Sequence, residues 1–247
     1  MIANYRNIII FLMCASQWTQ GQNLISFSAG RSFGSFETFN QSIRTFNTAR
    51  PWLQEQLPTI NGGLYLDLTP SIRLSDKWKL SIPLNYRRMS SFASNTSFET
   101  YVLMQHMQAH AMLEFYPALA PDSLDPLSPK LFFAFGPGGS FLLPQVYFNN
   151  DEAQVFDDDY RSLNYHFSAR LMIGLTIPLS DRMDISPFMT ADAIPNFDAR
   201  DFDVALHGKR LESSSLFPAV IFNAGIRIQF RMYPKDPEAN NLSVPVY

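Results

Sequence analysis

The sequence predicts an all-β fold: an eight-stranded antiparallel up-and-down transmembrane β-barrel with a short helical insertion in its first long loop. Three observations carry that expectation. Apolar and polar residues alternate with period two through segment after segment, the pattern of strands with one greasy and one polar face. The alternating segments number eight, and short and long connections take turns between them, as in a barrel with tight turns at one rim and long loops at the other. The apolar rows also hold far more bulk than the inside of an eight-stranded barrel can take, so they are expected to face outward. In water such a surface would drive association; in lipid it costs nothing, and closure satisfies every backbone group.

Composition agrees. Hydrophobic residues make up 46% and charged residues only 17%, below the roughly 25% of soluble domains. The 22 phenylalanines and 10 tyrosines are an aromatic excess, and 17 prolines oppose long helices. A net charge of -3 offers no basic face for nucleic acid.

Residues 1–21 read as an export signal. Arg6 supplies a positive start, and the run from Ile8 to Ala15 is an apolar core too short to span a bilayer, which takes about 20 residues. Cleavage is expected between Ala15 and Gln22. Cys14 follows Phe11-Leu12-Met13 and so lacks the small preceding residue of a lipidated cysteine. It is the one cysteine of the chain, so the processed protein is expected to have no thiol catalyst, disulfide framework or cysteine metal site.

Residues 22–233 are expected to form the barrel, beginning with a strand over 24–33. The long loop that follows carries Phe39, Ile43, Phe46, Leu53 and Leu57 at helical spacing, with Pro51 among them. This predicts a short amphipathic helix or two that cap or plug one end. In the second strand Leu64, Leu66, Leu68, Pro70, Ile72 and Leu74 oppose Tyr65, Asp67, Thr69, Ser71 and Arg73. Across a Ser75-Asp76 turn, Trp78, Leu80, Ile82, Leu84 and Tyr86 oppose Lys79, Ser81, Pro83, Asn85 and Arg87. A polar connection is expected over 89–98. The fourth strand sets Tyr101, Leu103, Met107, Ala109, Ala111, Leu113 and Phe115 against His106, Gln108, His110 and Glu114.

After a proline-rich turn over 117–129, Leu131, Phe133 and Phe135 begin the fifth strand. Gly136-Pro137-Gly138-Gly139 reads as a kink or bulge, and a long loop is expected over 143–162. In the sixth strand Leu163, Tyr165, Phe167, Ala169, Leu171, Ile173, Leu175 and Ile177 oppose Asn164, His166, Ser168, Arg170 and Thr176. The seventh sets Met183, Ile185, Pro187 and Met189 against Asp184, Ser186 and Thr190, and a long loop follows over 195–216. The eighth sets Val220, Phe222, Ala224, Ile226, Ile228 and Phe230 against Asn223, Arg227, Gln229 and Arg231. Residues 234–247 are expected to be a short periplasmic tail.

Outward apolar rows leave the polar rows inside. The lumen is then expected to hold Asp67, Arg73, Lys79, Arg87, His106, His110, Glu114, Arg170, Asp184, Arg227 and Arg231. Their mixed signs predict a filling of paired charges rather than a conducting path, because an isolated buried ion is very costly. Trp78, Tyr86, Tyr101, Phe115 and Tyr116 are expected near strand ends, as interfacial girdles.

On these rows and loops the chain resembles the small OmpA-type eight-stranded outer-membrane barrels, especially those of Bacteroidota style. The resemblance covers residues 24–233 and rests on pattern rather than on a motif. It implies a bacterial outer-membrane location, with membrane lipid, lipopolysaccharide and the barrel assembly machinery as partners. In such proteins the last strand often ends in an aromatic residue, which Phe230 and Tyr233 match; the tail after them departs from the usual ending.

No catalytic, cofactor or metal site is expected. His106, His110 and Glu114 share a face, but four residues of strand span about 13 Å, too far for one ion. His166 and Ser168 look like the pair of outer-membrane lipid A deacylases, a serine nucleophile with its base, yet they lie on the inward row without an acidic partner. Asp151, Glu152 and Asp157 to Asp159, with Asp198, Asp201 and Asp203, crowd two loops. They lack EF-hand spacing and read as solvated surface. The expected role is structural or interactive, through the long loops. The alternatives are a lipid-modifying barrel enzyme, a narrow pore and a soluble lipocalin-like ligand-binding barrel.

Overall fold

In the computed structural model, the described residues are 23–34, 36–75, 77–95, 98–117, 128–150, 153–155, 164–180, 182–197, 206 and 217–232. The expected export signal, the tail and the acidic loop residues lie outside them.

The strands are β1 (Asn23–Gly34), β2 (Gly62–Arg73), β3 (Trp78–Ser81), β4 (Leu84–Ser94), β5 (Phe98–His110), β6 (Met112–Phe115), β7 (Lys130–Asn150), β8 (Ala153–Val155), β9 (Asn164–Ser180), β10 (Met183–Phe197) and β11 (Phe217–Arg231). Pro83 separates β3 from β4 and Ala111 separates β5 from β6, so each of these pairs makes one stave of the wall. Every stave pairs antiparallel with the next, and β11 pairs back onto β1 from Leu24–Arg231 to Gly34–Ile221. The result is a closed ring of eight staves, with β8 as a small extra pairing on the far end of β7.

Period two decides what each side chain meets. Along β2, Leu64, Leu66 and Leu68 are exposed on the outside, while Tyr65, Asp67, Thr69 and Ser71 are buried inside. The outer wall continues through Phe27, Leu80, Leu84, Phe135, Phe167, Leu171, Ile173, Ile226 and Ile228, all exposed. Arg87, Glu114, Arg170 and Arg227 are buried. This polarity is the reverse of a soluble ligand-binding barrel. It is that of a transmembrane barrel of the outer-membrane type, whose backbone groups are satisfied within the wall. Among the described residues no helix is long and apolar enough to cross a membrane.

The first long loop holds α1 (Glu37–Ala49). Its apolar stripe, Phe39, Ile43 and Phe46, is fully buried, whereas Arg44, Thr45 and Thr48 are exposed. The stripe shares one buried cluster with Leu53, Leu57 and Ile60 of the return segment and with inward residues of the wall: Met89, Val102, Met104, Leu142, Ile194 and Ile221. The helix therefore plugs the long-loop mouth. Two asparagines clasp the return segment to it. Asn40 donates to the Ile60 carbonyl (3.0 Å) and accepts from its N–H (2.7 Å); Asn47 does the same with Leu57 (2.8 and 3.0 Å). The helix stops before Pro51, which disfavours helical backbone in the residue ahead of it.

Several expectations need correction. The connection expected over 89–98 is mostly wall: β4 runs to Ser94 and β5 starts at Phe98. Likewise β7 continues to Asn150, through the first part of the loop expected over 143–162. Gly136-Pro137-Gly138-Gly139 is not a bulge, because register with β9 is unbroken from Lys130 to Leu142. The glycines serve close approach instead. A Cβ on Gly136 would stand 1.9 Å from the Ala111 carbonyl oxygen, and one on Gly138 would strike the His110 ring at 2.4 Å. Of the expected girdle, Trp78 and Phe115 are outward and in ring contact (4.7 Å between centroids) near the short-turn rim. Tyr86 stands mid-stave, and Tyr116 turns inward to pack against the Phe132 cluster.

The outward wall generates a depth-dependent test. Leu68→Arg, at mid-height of β2, should cost about 2–4 kcal/mol in urea unfolding from lipid vesicles, while Lys77→Gln, exposed in the short turn, stays within about 0.5 kcal/mol.

Candidate functional site

The charged interior is the one concentration of chemistry among the described residues, and it has two tiers. The central tier is organised by Asp192 of β10. Arg170 of β9 donates to it from Nε (2.5 Å) and Nη2 (2.9 Å), Arg87 of β4 donates from Nη2, and Asn223 of β11 from Nδ2 (3.1 Å). One carboxylate thus bridges two guanidiniums across the lumen. Both guanidiniums also donate to Gln108 Oε1, Arg87 at 2.6 Å and Arg170 at 3.2 Å. Arg87 reaches Asn223 Oδ1 (2.9 Å) and His106 Nδ1 (3.0 Å) as well. Asp67 supplies the second negative charge, 3.7 Å from Arg170, and accepts from Tyr65 Oη (3.1 Å) and from Thr69. Two arginines and two aspartates leave this tier without net charge.

The lower tier lies toward the short-turn rim and is organised by Glu114 of β6. Lys79 of β3 pairs with it at 2.7 Å, Arg227 of β11 at 3.1 and 3.4 Å, and Tyr116 Oη donates to it at 3.0 Å. Lys79 also donates to Gln229 Oε1 (2.8 Å), and Gln229 Nε2 donates to Asp184 (3.1 Å). Arg231, partly exposed at the rim, closes the chain on Asp184 (2.9 Å). Arg227 stacks over the Phe132 ring at 4.4 Å.

Ten of the eleven residues expected in the lumen take part in these tiers or border them. His110 borders the central one: its Nε2 lies 3.1 Å from Ser168 Oγ. Arg73 is half-buried at the end of β2 and makes no ion pair among the described residues. Ser168 therefore meets the histidine of β5, and the side chains of Ser168, His110 and His166 are all buried in the wall's interior. Among the described residues no group of acids, histidines and cysteine could hold a metal ion.

Two features escaped the sequence reading. Asp192 carries the central tier, and extending the seventh strand's alternation one step past Thr190 would have found it. The lumen is also partly apolar: Phe132, Met112, Met172 and Phe188 form an inner cluster with Tyr65. Phe132 stands between Leu131 and Phe133, so no polar neighbour marked its face.

Comparison with known proteins was uninformative at the sequence level: no family model matches, and no curated protein matches. Solved structures with a similar course exist. The attachment invasion locus protein Ail of Yersinia pestis, solved with the heparin analogue sucrose octasulfate, is 11% identical with a TM-score of 0.40, covering 86% of this chain and 100% of that one. Neisserial surface protein A is 8% identical (TM-score 0.39; 85% and 96% covered). The outer membrane protein OprG of Pseudomonas aeruginosa is 10% identical (TM-score 0.40; 85% and 97% covered). At these levels the ring of staves stands on its own geometry.

The central tier makes a sharp prediction. Asp192→Asn leaves Arg87 and Arg170 buried against one remaining carboxylate, so it should lose about 3–5 kcal/mol in denaturant unfolding of the folded barrel. Arg73→Gln, which breaks no pair, should stay within about 0.5 kcal/mol.

Proposed function

We propose that the chain is a bacterial outer-membrane barrel with a closed lumen, acting as a structural or interaction protein through its long-loop rim. The observation that carries this reading is the occlusion of the interior at three successive levels. The apolar plug of α1 fills the long-loop mouth, the neutral Asp192 tier spans the middle, and the Glu114 tier with Phe132 fills the short-turn end. A permeating ion would meet fixed, mutually satisfied charges and then an apolar stopper. Ser168 and His110 sit inside that filling with no carboxylate bonded to the imidazole among the described residues, which supports no lipid chemistry there.

In this reading residues 1–21 direct export, residues 22–233 insert through the barrel assembly machinery, and residues 234–247 stay on the periplasmic side. Barrels of this type keep short turns in the periplasm and long loops outside. The plug, its exposed face and the three other loops at that rim then meet the exterior. Membrane lipid and lipopolysaccharide surround the wall.

Orientation is directly testable, because Cys14 is the only cysteine and lies in the segment expected to be removed. Thr48→Cys on the exposed face of α1 should react with a bulky maleimide on intact cells. Lys77→Cys, in a short turn, should react only after the outer membrane is opened; the reverse pattern overturns the orientation. In planar bilayers the purified barrel should give no steady conductance, and discrete channel steps would overturn the closed lumen.

A further inference from the structure

The lipid-facing wall is not uniform. Over β11, β1, β2 and β4 it is hollowed into an open apolar groove of ≈ 660 Å³, lined by Phe27, Ala29, Leu66, Leu68, Ile226 and Ile228. That size falls within the about 300–1,000 Å³ of small-molecule sites. The hollow exists because Ala29 is small among large neighbours. Its cross-strand partners are Ile226 and Leu66.

Two cations stand at one end of this groove. Leu66 pairs with Ala29 on one side and with Tyr86 on the other. Two residues nearer the long-loop rim, Leu64 pairs with Arg31 and with Arg88. Period two puts both arginines on the outward face of the groove itself, and both are exposed. Arg88 donates to the Tyr101 hydroxyl (3.2 Å), and neither arginine makes an ion pair among the described residues. An arginine on a lipid-facing wall is costly at mid-bilayer and nearly free at the interface. A pair of them above an apolar hollow is therefore suited to an amphiphile with an anionic head. Guanidiniums match phosphate through bidentate hydrogen bonds. With one strand between them, the two backbones lie roughly 10 Å apart at 4.7–4.9 Å per strand. That spacing suits two separated phosphates better than a single phosphodiester.

We infer that this face is a binding site for bis-phosphorylated lipid A of the outer leaflet. Arg31 and Arg88 hold its phosphates, and the Ala29 groove receives an acyl chain. The inference rests on the orientation given above, with the long loops outside.

The experiment is native mass spectrometry of the full barrel in an uncharged detergent, titrated with hexa-acylated bis-phosphorylated lipid A, its dephosphorylated form, and phosphatidylglycerol. Lipid A should bind at least tenfold more tightly than either of the others. Arg31→Gln/Arg88→Gln should remove that preference while the barrel keeps its heat-modifiable gel mobility. Ala29→Leu, which fills the hollow and leaves the charges, should weaken lipid A at least threefold. Lys77→Gln/Arg182→Gln, which removes exposed cations of the opposite rim, should change nothing. Equal binding of phosphatidylglycerol, or lipid A binding unaltered by Arg31→Gln/Arg88→Gln in a heat-modifiable barrel, overturns the site and leaves the membrane reading intact. A chain that is soluble without detergent and shows no heat-modifiable form overturns the membrane reading and the site together.

Discussion

Closure is the constraint on which the rest of this molecule depends. Strand β11 pairs with β1 from Leu24 to Gly34, so the ring of staves closes on itself and its backbone groups are satisfied within the wall instead of facing hydrocarbon. Once the ring is closed, period two leaves each residue two destinations. Most bulky apolar side chains go to lipid, and most charged ones go inward. A narrow lumen must then accept charged side chains from six of the eight staves, which is possible only when each charge finds a partner.

That requirement explains the interior better than any catalytic purpose does. Arginine suits such a space because its planar fork can serve several acceptors at once. Arg87 reaches Asp192, Asn223, Gln108 and His106 from one side chain, tying β4 to β10, β11 and β5. Lys79 and Arg227 likewise join β3 and β11 through Glu114 of β6. The links from Arg87 to Asp192 and Asn223, and from Arg227 to Glu114, cross the barrel between staves that share no backbone hydrogen bonds, so the side chains brace the wall from within. Filling, bracing and sealing are one arrangement.

The sequence made the ring legible because a half-polar strand announces itself at every second residue. Leu64 to Arg73 is such a run, and its faces in the structure are those of the alternation. Legibility failed where alternation stops. Leu142, Leu143 and Val146 of β7 and Met89, Phe92 and Ala93 of β4 put apolar side chains on both faces, because near the long-loop mouth the inward residues pack on the plug instead of on water or charge; Met89, Leu142 and Val146 are the buried cases. Phe132 hid for the same reason. The lumen charges could be gathered from their rows, but their pairing could not, since Asp192 meets Arg87 across 105 positions of sequence. Which carboxylate meets which guanidinium depends on the stagger between staves, and no local pattern records that.

The placement of α1 has a consequence for the order of assembly. The helix is carried between β1 and β2, which pair with each other as sequence neighbours. Its seat, however, is built from Met89 and Ala93 of β4, Val102 and Met104 of β5, Leu142 and Val146 of β7, Ile194 of β10 and Ile221 of β11. A hairpin of β1 and β2 alone therefore offers the helix no pocket. Its phenylalanines stay uncovered until staves more than a hundred residues downstream have arrived, and such non-local contacts form slowly. Docking of the stopper is thus the closing event of biogenesis. Until then, the nascent barrel exposes a greasy segment that must be shielded from aggregation.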